Sequence, residues 1–243
     1  MKKLLLLSVL FPVLLAAQEA ALPDVPRLPT GTPDFSGVWS GGGPVGDIAG
    51  GLMPGEVMLL TDEYARVKAN RMAADDPEAN CLPTGVPRIA PYPWRIVQTP
   101  AYEEATHLYF LFEGNVHSYR QIFMDGREHP PEEELDPSWY GHSIGWWEND
   151  TLVIDTVGFN DRTWFDFLGN PHSTELHTIE RYTRIDYNTL ENITTIIDPA
   201  AYRQPFTIRF TARLQPPGWD LMEYVCNENN QDVEHIRGPA RLF

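Results

Sequence analysis

Four strand-turn-strand segments fill the second half of the chain, and they leave room for little but an antiparallel β architecture. THLYFLFE at 106–113 runs through Gly114-Asn115 into VHSYRQIFM at 116–124, which stops at Asp125-Gly126. GHSIGWW at 141–147 returns as TLVIDTVGF at 151–159 through Glu148-Asn149-Asp150. LHTIERYTRI at 176–185 returns as TLENITTII at 189–197, and FTIRFTARL at 206–214 returns as WDLMEYVC at 219–226 through Pro216-Pro217-Gly218. Runs rich in β-branched and aromatic residues, bounded by such turn residues, mark hairpins. Eight strands in sequential hairpins predict an up-and-down barrel, because closure removes the edges that an open sheet exposes. A barrel of that size has room for one small ligand. The expected fold is all-β: a single antiparallel β-barrel over 34–243 with one short N-terminal helix.

The segments before the strands set the compartment. Residues 1–17 begin with Lys2 and Lys3, continue through LLLLSVLFPVLLAA and end in small residues, the order of a secretory signal peptide. The apolar run falls short of the roughly 20 residues needed to cross a bilayer, so no membrane insertion is expected. Residues 18–33, rich in Pro and Ala, read as an extended leader. The glycine-rich stretch GGGPVGDIAGG at 41–51 reads as a mobile loop; it lacks the lysine and strand-loop-helix setting of a phosphate cradle. TDEYARVKANRMAA at 61–74 is the one convincing helix, with Thr61 as N-cap and Asp62 and Glu63 in the first turn.

An exported chain sits in an oxidising space, where its two cysteines, Cys81 and Cys226, most simply pair. Loss of Lys2 and Lys3 with the signal moves the formal charge from −16 to −18. A surface of that sign repels phosphate backbones and anionic lipid, so nucleic acid is not an expected partner.

Gly37-Val38-Trp39 on the first apparent strand resembles the G-x-W of lipocalins and other calycin barrels, whose tryptophan packs at the closed end. CLPTGVPR, PYPWRIVQTP, IFMDGREHP, GHSIGWWENDTLVIDTVGFNDRTW, PHSTELHTIERY and EYVCNENN are similar to segments of a family of uncharacterised exported bacterial proteins, over roughly residues 33–238. The resemblance implies a single exported, lipocalin-like domain and carries no catalytic assignment.

Reactive side chains concentrate between Trp139 and Arg181, where apolar strand residues alternate with His142, Asp155, Asp161, His172 and His177. Apolar walls with a few polar contacts are the usual make-up of a small-molecule pocket. If Asn149-Asp150 is a two-residue tip, Ile144 faces Asp155 and His142 faces Val157. His142 and Asp155 then share a sheet face one pair apart, as a His-carboxylate couple in which Asp155 fixes the imidazole tautomer. A three-residue tip puts them on opposite faces. Asp161 is the alternative orienting carboxylate.

Other candidates surround this couple. Arg120, among Val116, Ile122 and Met124 on one strand face, must meet a carboxylate or a ligand if buried. Arg127 in DGREHP offers bidentate contact to an anion, and Pro130 holds His129 extended. Trp139, Tyr140 and Trp164 lie near chain reversals and offer stacking surfaces at a cavity mouth. His172 and His177 have the spacing H-x4-H, which resembles no closed zinc signature; a catalytic zinc needs a third ligand, from His117, His129 or His142. No cofactor is therefore assigned, with zinc as the alternative. The nucleophile elbow G-x-S-x-G and the metalloprotease motif H-E-x-x-H are both missing.

Two functions follow as expectations. The first is an exported small-molecule-binding barrel that holds a mainly apolar or aromatic ligand. The alternative is a periplasmic enzyme of hydrolytic, isomerase or lyase type, with His142 as general base, Asp155 or Asp161 orienting it, and Arg120 or Arg127 holding an anionic group.

Overall fold

Alternation of apolar and polar residues along each strand gives the sheet one buried and one open face. A computed structural model describes residues 25–88, 92–114, 118–228, 235–236 and 238–240. Its strands are β1 (Val38–Gly41), β2 (Trp94–Thr99), β3 (His107–Phe112), β4 (Tyr119–Phe123), β5 (His142–Glu148), β6 (Thr151–Val157), β7 (His177–Arg184), β8 (Thr189–Ile197) and β9 (Phe206–Leu214). They form a closed barrel in sequence order, β9 returning to β1. Residues 1–17, read as a signal segment, most of the leader, the Asn115 turn and His117 lie outside the described residues.

An all-β barrel is what the hairpins predicted, and three of the four pairs form as read: β3-β4, β5-β6 and β7-β8. The fourth does not. Residues 219–226 are not a strand, and Trp219, Met222, Tyr224 and Val225 stay exposed. The edge of β9 that they would occupy is taken by β1, through Trp39↔Leu214, Ser40↔Arg213 and Gly41↔Ala212. Pro216 and Pro217 at the exit of β9 have no N–H to extend the ladder. In its place β2, reached from β1 by a long excursion, pairs with both β1 and β3.

Nine strands impose a parity constraint. Alternating directions close around a ring only when the number of strands is even, so one neighbouring pair must run parallel. That pair is β4-β5, with only Ile122↔Ser143 and Phe123↔Ile144 in register. The connection from 124 to 141 crosses back over the barrel surface instead of turning tightly, and a bridge between Ser138 and Phe159 fastens it.

The inward positions of successive strands build the interior in layers. At one end Trp39, Trp94, Phe110, Ile122, Leu152 and Tyr182 pack together; at the other, Ile48, Phe159, Phe165, Leu176, Phe206 and Ile208. Between them runs a belt of buried polar residues: Arg120, Ser143, Thr156, Thr178, Glu180, Asn192 and Thr194. The change is visible along single strands, since β8 points Leu190, Asn192, Thr194 and Ile196 inward in turn.

Two N-terminal segments depart from expectation. The glycine-rich loop is packed, with Ile48 fully buried and its N–H donating to Asp166 Oδ2 at 2.7 Å. A Cβ on Gly51 would lie 2.3 Å from the ring of Phe210, so this glycine serves close approach. Helix α1 (Asp62–Asn70) starts as read, Thr61 Oγ1 accepting from the Tyr64 N–H, but stops before Arg71. There the chain turns extended, and the Arg71 guanidinium bonds Gly169 O and covers the Trp164 ring at 4.8 Å. Cys81 and Cys226 are joined in a disulfide that fastens the C-terminal segment to the excursion between β1 and β2. No helix among the described residues is long and apolar enough to cross a membrane.

Candidate functional site

The short parallel contact between β4 and β5 leaves the first residues of both strands unpaired with each other. A cleft of about 660 Å3 opens there, walled on its outer side by residues 130–140 of the connection. Tyr119, Arg120, Phe123, Trp139, Tyr140 and His142 line it. The volume suits a small organic molecule.

Arg120 stands at the inner side. It is 1% exposed and points into the polar belt, where Nη2 donates to Glu180 Oε2 and to Thr156 Oγ1 at 2.8 Å, and Nε donates to Ser143 Oγ at 3.1 Å. Tyr182 Oη donates to the other oxygen of Glu180. Arg120 Nη1 is buried and has no hydrogen-bond partner among the described residues. An unmet donor on a buried guanidinium is costly, so that atom marks a position where an acceptor is strongly favoured.

Tyr140 stacks on Phe112, and its hydroxyl bonds Ser118 Oγ at 2.5 Å. Burial pushes its phenol up to about 12, so the hydroxyl keeps its proton at neutral pH. Trp139 is half-buried, with Arg162 over its ring at 4.7 Å.

The ladder has the register of a two-residue tip, Ile144↔Asp155 and His142↔Val157, with Asn149 at φ 55°. His142 and Asp155 therefore share a face. That face is the outer one, because Ser143, Leu152, Ile154 and Thr156 take the inward positions. Nor do the two side chains touch. His129, brought in by the 124–141 connection, lies between them: its Nδ1 is 2.8 Å from His142 Nδ1 and its Nε2 is 3.1 Å from Asp155 Oδ1. His177 Nε2 reaches the same carboxylate oxygen at 2.7 Å, from the diagonal cross-strand position on β7.

Electrostatics follow from these contacts. Burial opposes ionisation of Asp155, but hydrogen bonds and charge from His177 and His129 outweigh it and hold the carboxyl below its ordinary range. Burial, with His129 and Arg127 nearby, pushes His142 down, which favours a neutral imidazole. Phe123 stacks on the His142 ring at 5.1 Å and carries Arg127 on its other neighbour contact at 3.8 Å.

The other sequence candidates lie elsewhere. Asp161 is exposed in the turn after β6 and Arg127 is paired with Asp125 on the surface. Trp164 is buried under Arg71 and is not at the cleft mouth. His172 is fully buried, bonded to Thr163 Oγ1 at 2.5 Å and Ser173 O at 3.0 Å and stacked on Phe165, so H-x4-H does not bring it to His177. Among the described residues no group of three His, Cys, Asp or Glu side chains is arranged to hold a metal ion.

Sequence reasoning missed Glu180, Ser143 and Thr156 as partners of Arg120, and Tyr182 as a donor to Glu180. The signal was present in strands whose inward positions turn polar mid-strand, as Thr178 and Glu180 do in β7. Compared with known proteins, the chain matches no family model, no curated protein and no solved structure.

Proposed function

We propose that this is an exported barrel that binds a small, mainly aromatic molecule in the cleft between β4 and β5, with an anionic or carbonyl oxygen of that molecule on Arg120. The observation that carries this reading is the buried, unpartnered Nη1 of Arg120 beside a cleft walled by Tyr119, Phe123, Trp139 and Tyr140. Aromatic walls supply non-directional affinity and the single buried donor fixes orientation. The disulfide fits export, since such bonds persist in oxidising compartments. A second reading, acid-base catalysis in the same cleft, is favoured by one observation: His142, the end of a carboxylate-anchored imidazole chain, also lines the cleft.

Native mass spectrometry of protein recovered from an exporting host, together with uptake of 8-anilinonaphthalene-1-sulfonate, tests binding. The expected result is a retained organic molecule or saturable probe fluorescence in the wild type, both lost in Trp139→Ala/Arg120→Met/Glu180→Gln. Arg120 and Glu180 are changed together because either alone leaves a buried charge. A wild-type protein that emerges empty and takes up no probe overturns the proposal.

A further inference from the structure

We infer that Asp155, His129 and His142 form a proton relay that makes His142 the general base for a planar, conjugated or aryl carbonyl compound bound in the cleft. The inference rests on the cleft being the ligand site and adds a reaction to it.

The argument starts from proton counting along the chain. A neutral imidazole has one N–H and one lone pair. Asp155 accepts, so His129 Nε2, 3.1 Å from its Oδ1, carries the hydrogen. His129 Nδ1 then holds the lone pair, and the 2.8 Å contact requires His142 Nδ1 to donate. The lone pair of His142 is thereby placed on Nε2. An isolated histidine has no such constraint, whereas here three residues from the β4-β5 connection, β5 and β6 impose one tautomer. His177, from β7, adds a second bond to Asp155 Oδ1 at 2.7 Å and helps hold the carboxylate in place. When His142 gains a proton on Nε2, its Nδ1 proton can pass toward His129 and the positive charge is shared toward Asp155.

The opposite requirement, stabilisation of negative charge, is met by Tyr140 of the same cleft, whose hydroxyl retains its proton and can donate to a developing enolate oxygen. The step balances without any added reagent. The C–H bond next to the carbonyl breaks, its proton goes to His142 Nε2, and its electron pair becomes the enolate C=C as the carbonyl electrons move onto oxygen. Return of the same proton from His142 to another carbon of the conjugated system gives an isomer and restores the enzyme. Tyr119, Phe123 and Trp139 provide the flat walls that such a substrate fits.

His142 is faced by His129 and Arg127 from the connection and by Phe123 from β4, with Asp155 on β6 and His177 on β7 reached through His129. Burial, with His129 and Arg127 beside it, lowers its affinity for a proton, so the rate profile should rise below pH 6.5, the ordinary imidazole value, and level off by neutral pH.

The test uses 5-nitrobenzisoxazole, a planar carbon acid whose C–H loss to a base breaks its N–O bond and releases a coloured cyanophenolate. Binding is measured separately by tryptophan fluorescence quenching. Wild-type protein is expected to bind the probe and to accelerate its cleavage. His142→Gln should lower kcat about a hundredfold, the usual size of a general-base contribution, while the probe's Kd stays within about threefold. Asp155→Asn and His129→Gln, which remove positioning residues, should lower kcat about tenfold and shift the midpoint of the pH-rate profile. Nitrogen-15 NMR should find His142 in the Nδ1–H tautomer, and Asp155→Asn should release it. Binding without acceleration, or His142 in the Nε2–H tautomer, overturns the relay and leaves the ligand cleft standing. Absence of binding overturns both.

Discussion

Arg120 on β4 and Glu180 on β7 are joined by an ion pair across the barrel interior, although the strands that carry them are not neighbours in the sheet. Each is 1% exposed, and hydroxyls of Ser143, Thr156 and Tyr182 complete their shell. The pair divides the two apolar layers and places a cation at the inner side of the cleft.

Removing one partner should cost far more than removing both. Glu180→Leu leaves a buried guanidinium without its counter-charge, and a loss of about 3–5 kcal/mol is expected from the uncompensated charge. Arg120→Met/Glu180→Leu should recover most of it, since buried pairs replaced by apolar groups of similar volume are often near neutral. Urea denaturation of the two singles and the double gives the coupling directly. Additive losses would show that the two residues do not act as a pair.

Gly141 sets the entry of β5 and hence the position of His142. It has φ +66°, and a Cβ there would lie 2.6 Å from Val157 O, a backbone atom that cannot turn aside. Gly141→Ala should destabilise the protein by about 1–3 kcal/mol through left-handed strain and that contact. It should also change the environment of His142, read as a shift of its NMR titration relative to wild type. An unchanged titration would show that the strand adapts upstream of the histidine.

Legibility followed the range of the interactions. Hairpins β5-β6 and β7-β8 were readable because turn residues and alternation lie within a dozen positions, and of the two registers open for the β5-β6 tip the structure has the two-residue one at Asn149-Asp150. The segment 219–226 carried the same local signal as those strands, yet failed as one because β1, far away in sequence, holds the edge it needed. The parallel contact at β4-β5 depends on how many strands close the ring, which no single segment encodes. The site shows the same division. Asp155 and His142 were readable as residues of one face, but His129 reaches them only because the 124–141 connection folds over the outside of the barrel. The H-x4-H spacing of His172 and His177 left their separation open, and the loop after β6 buries His172 against Thr163 and Phe165.

The disulfide should matter most for the segment that lacks a strand. Its closed loop spans a sequence separation of 145 residues, for which chain entropy allows up to about 5 kcal/mol. Cys81→Ala/Cys226→Ala should lower the urea midpoint and open residues 215–228 to protease, while the barrel ladders remain protected in hydrogen exchange. Equal loss of protection in β7 and β8 would mean that the bond holds the whole barrel instead.

His172 makes stability depend on pH in a defined direction. Burial is the main influence on it and lowers its proton affinity below the ordinary value of 6.5, outweighing its bond to Ser173 O and the charge of Asp198. The unfolded chain therefore binds a proton that the folded protein resists. Stability is full above about pH 6.5 and falls as the pH drops from there toward the folded-state value, by up to about 1.4 kcal/mol per pH unit for one proton. His142 is lowered too and contributes in the same window, so the comparison must be with a variant. His172→Gln loses its bond to Thr163 and should be less stable at every pH, but its stability should decline less steeply between pH 6.5 and 5. Denaturation curves at half-unit intervals separate the slope from the offset. Parallel slopes for the two proteins would mean that His172 takes up its proton as readily in the folded state as in the unfolded one.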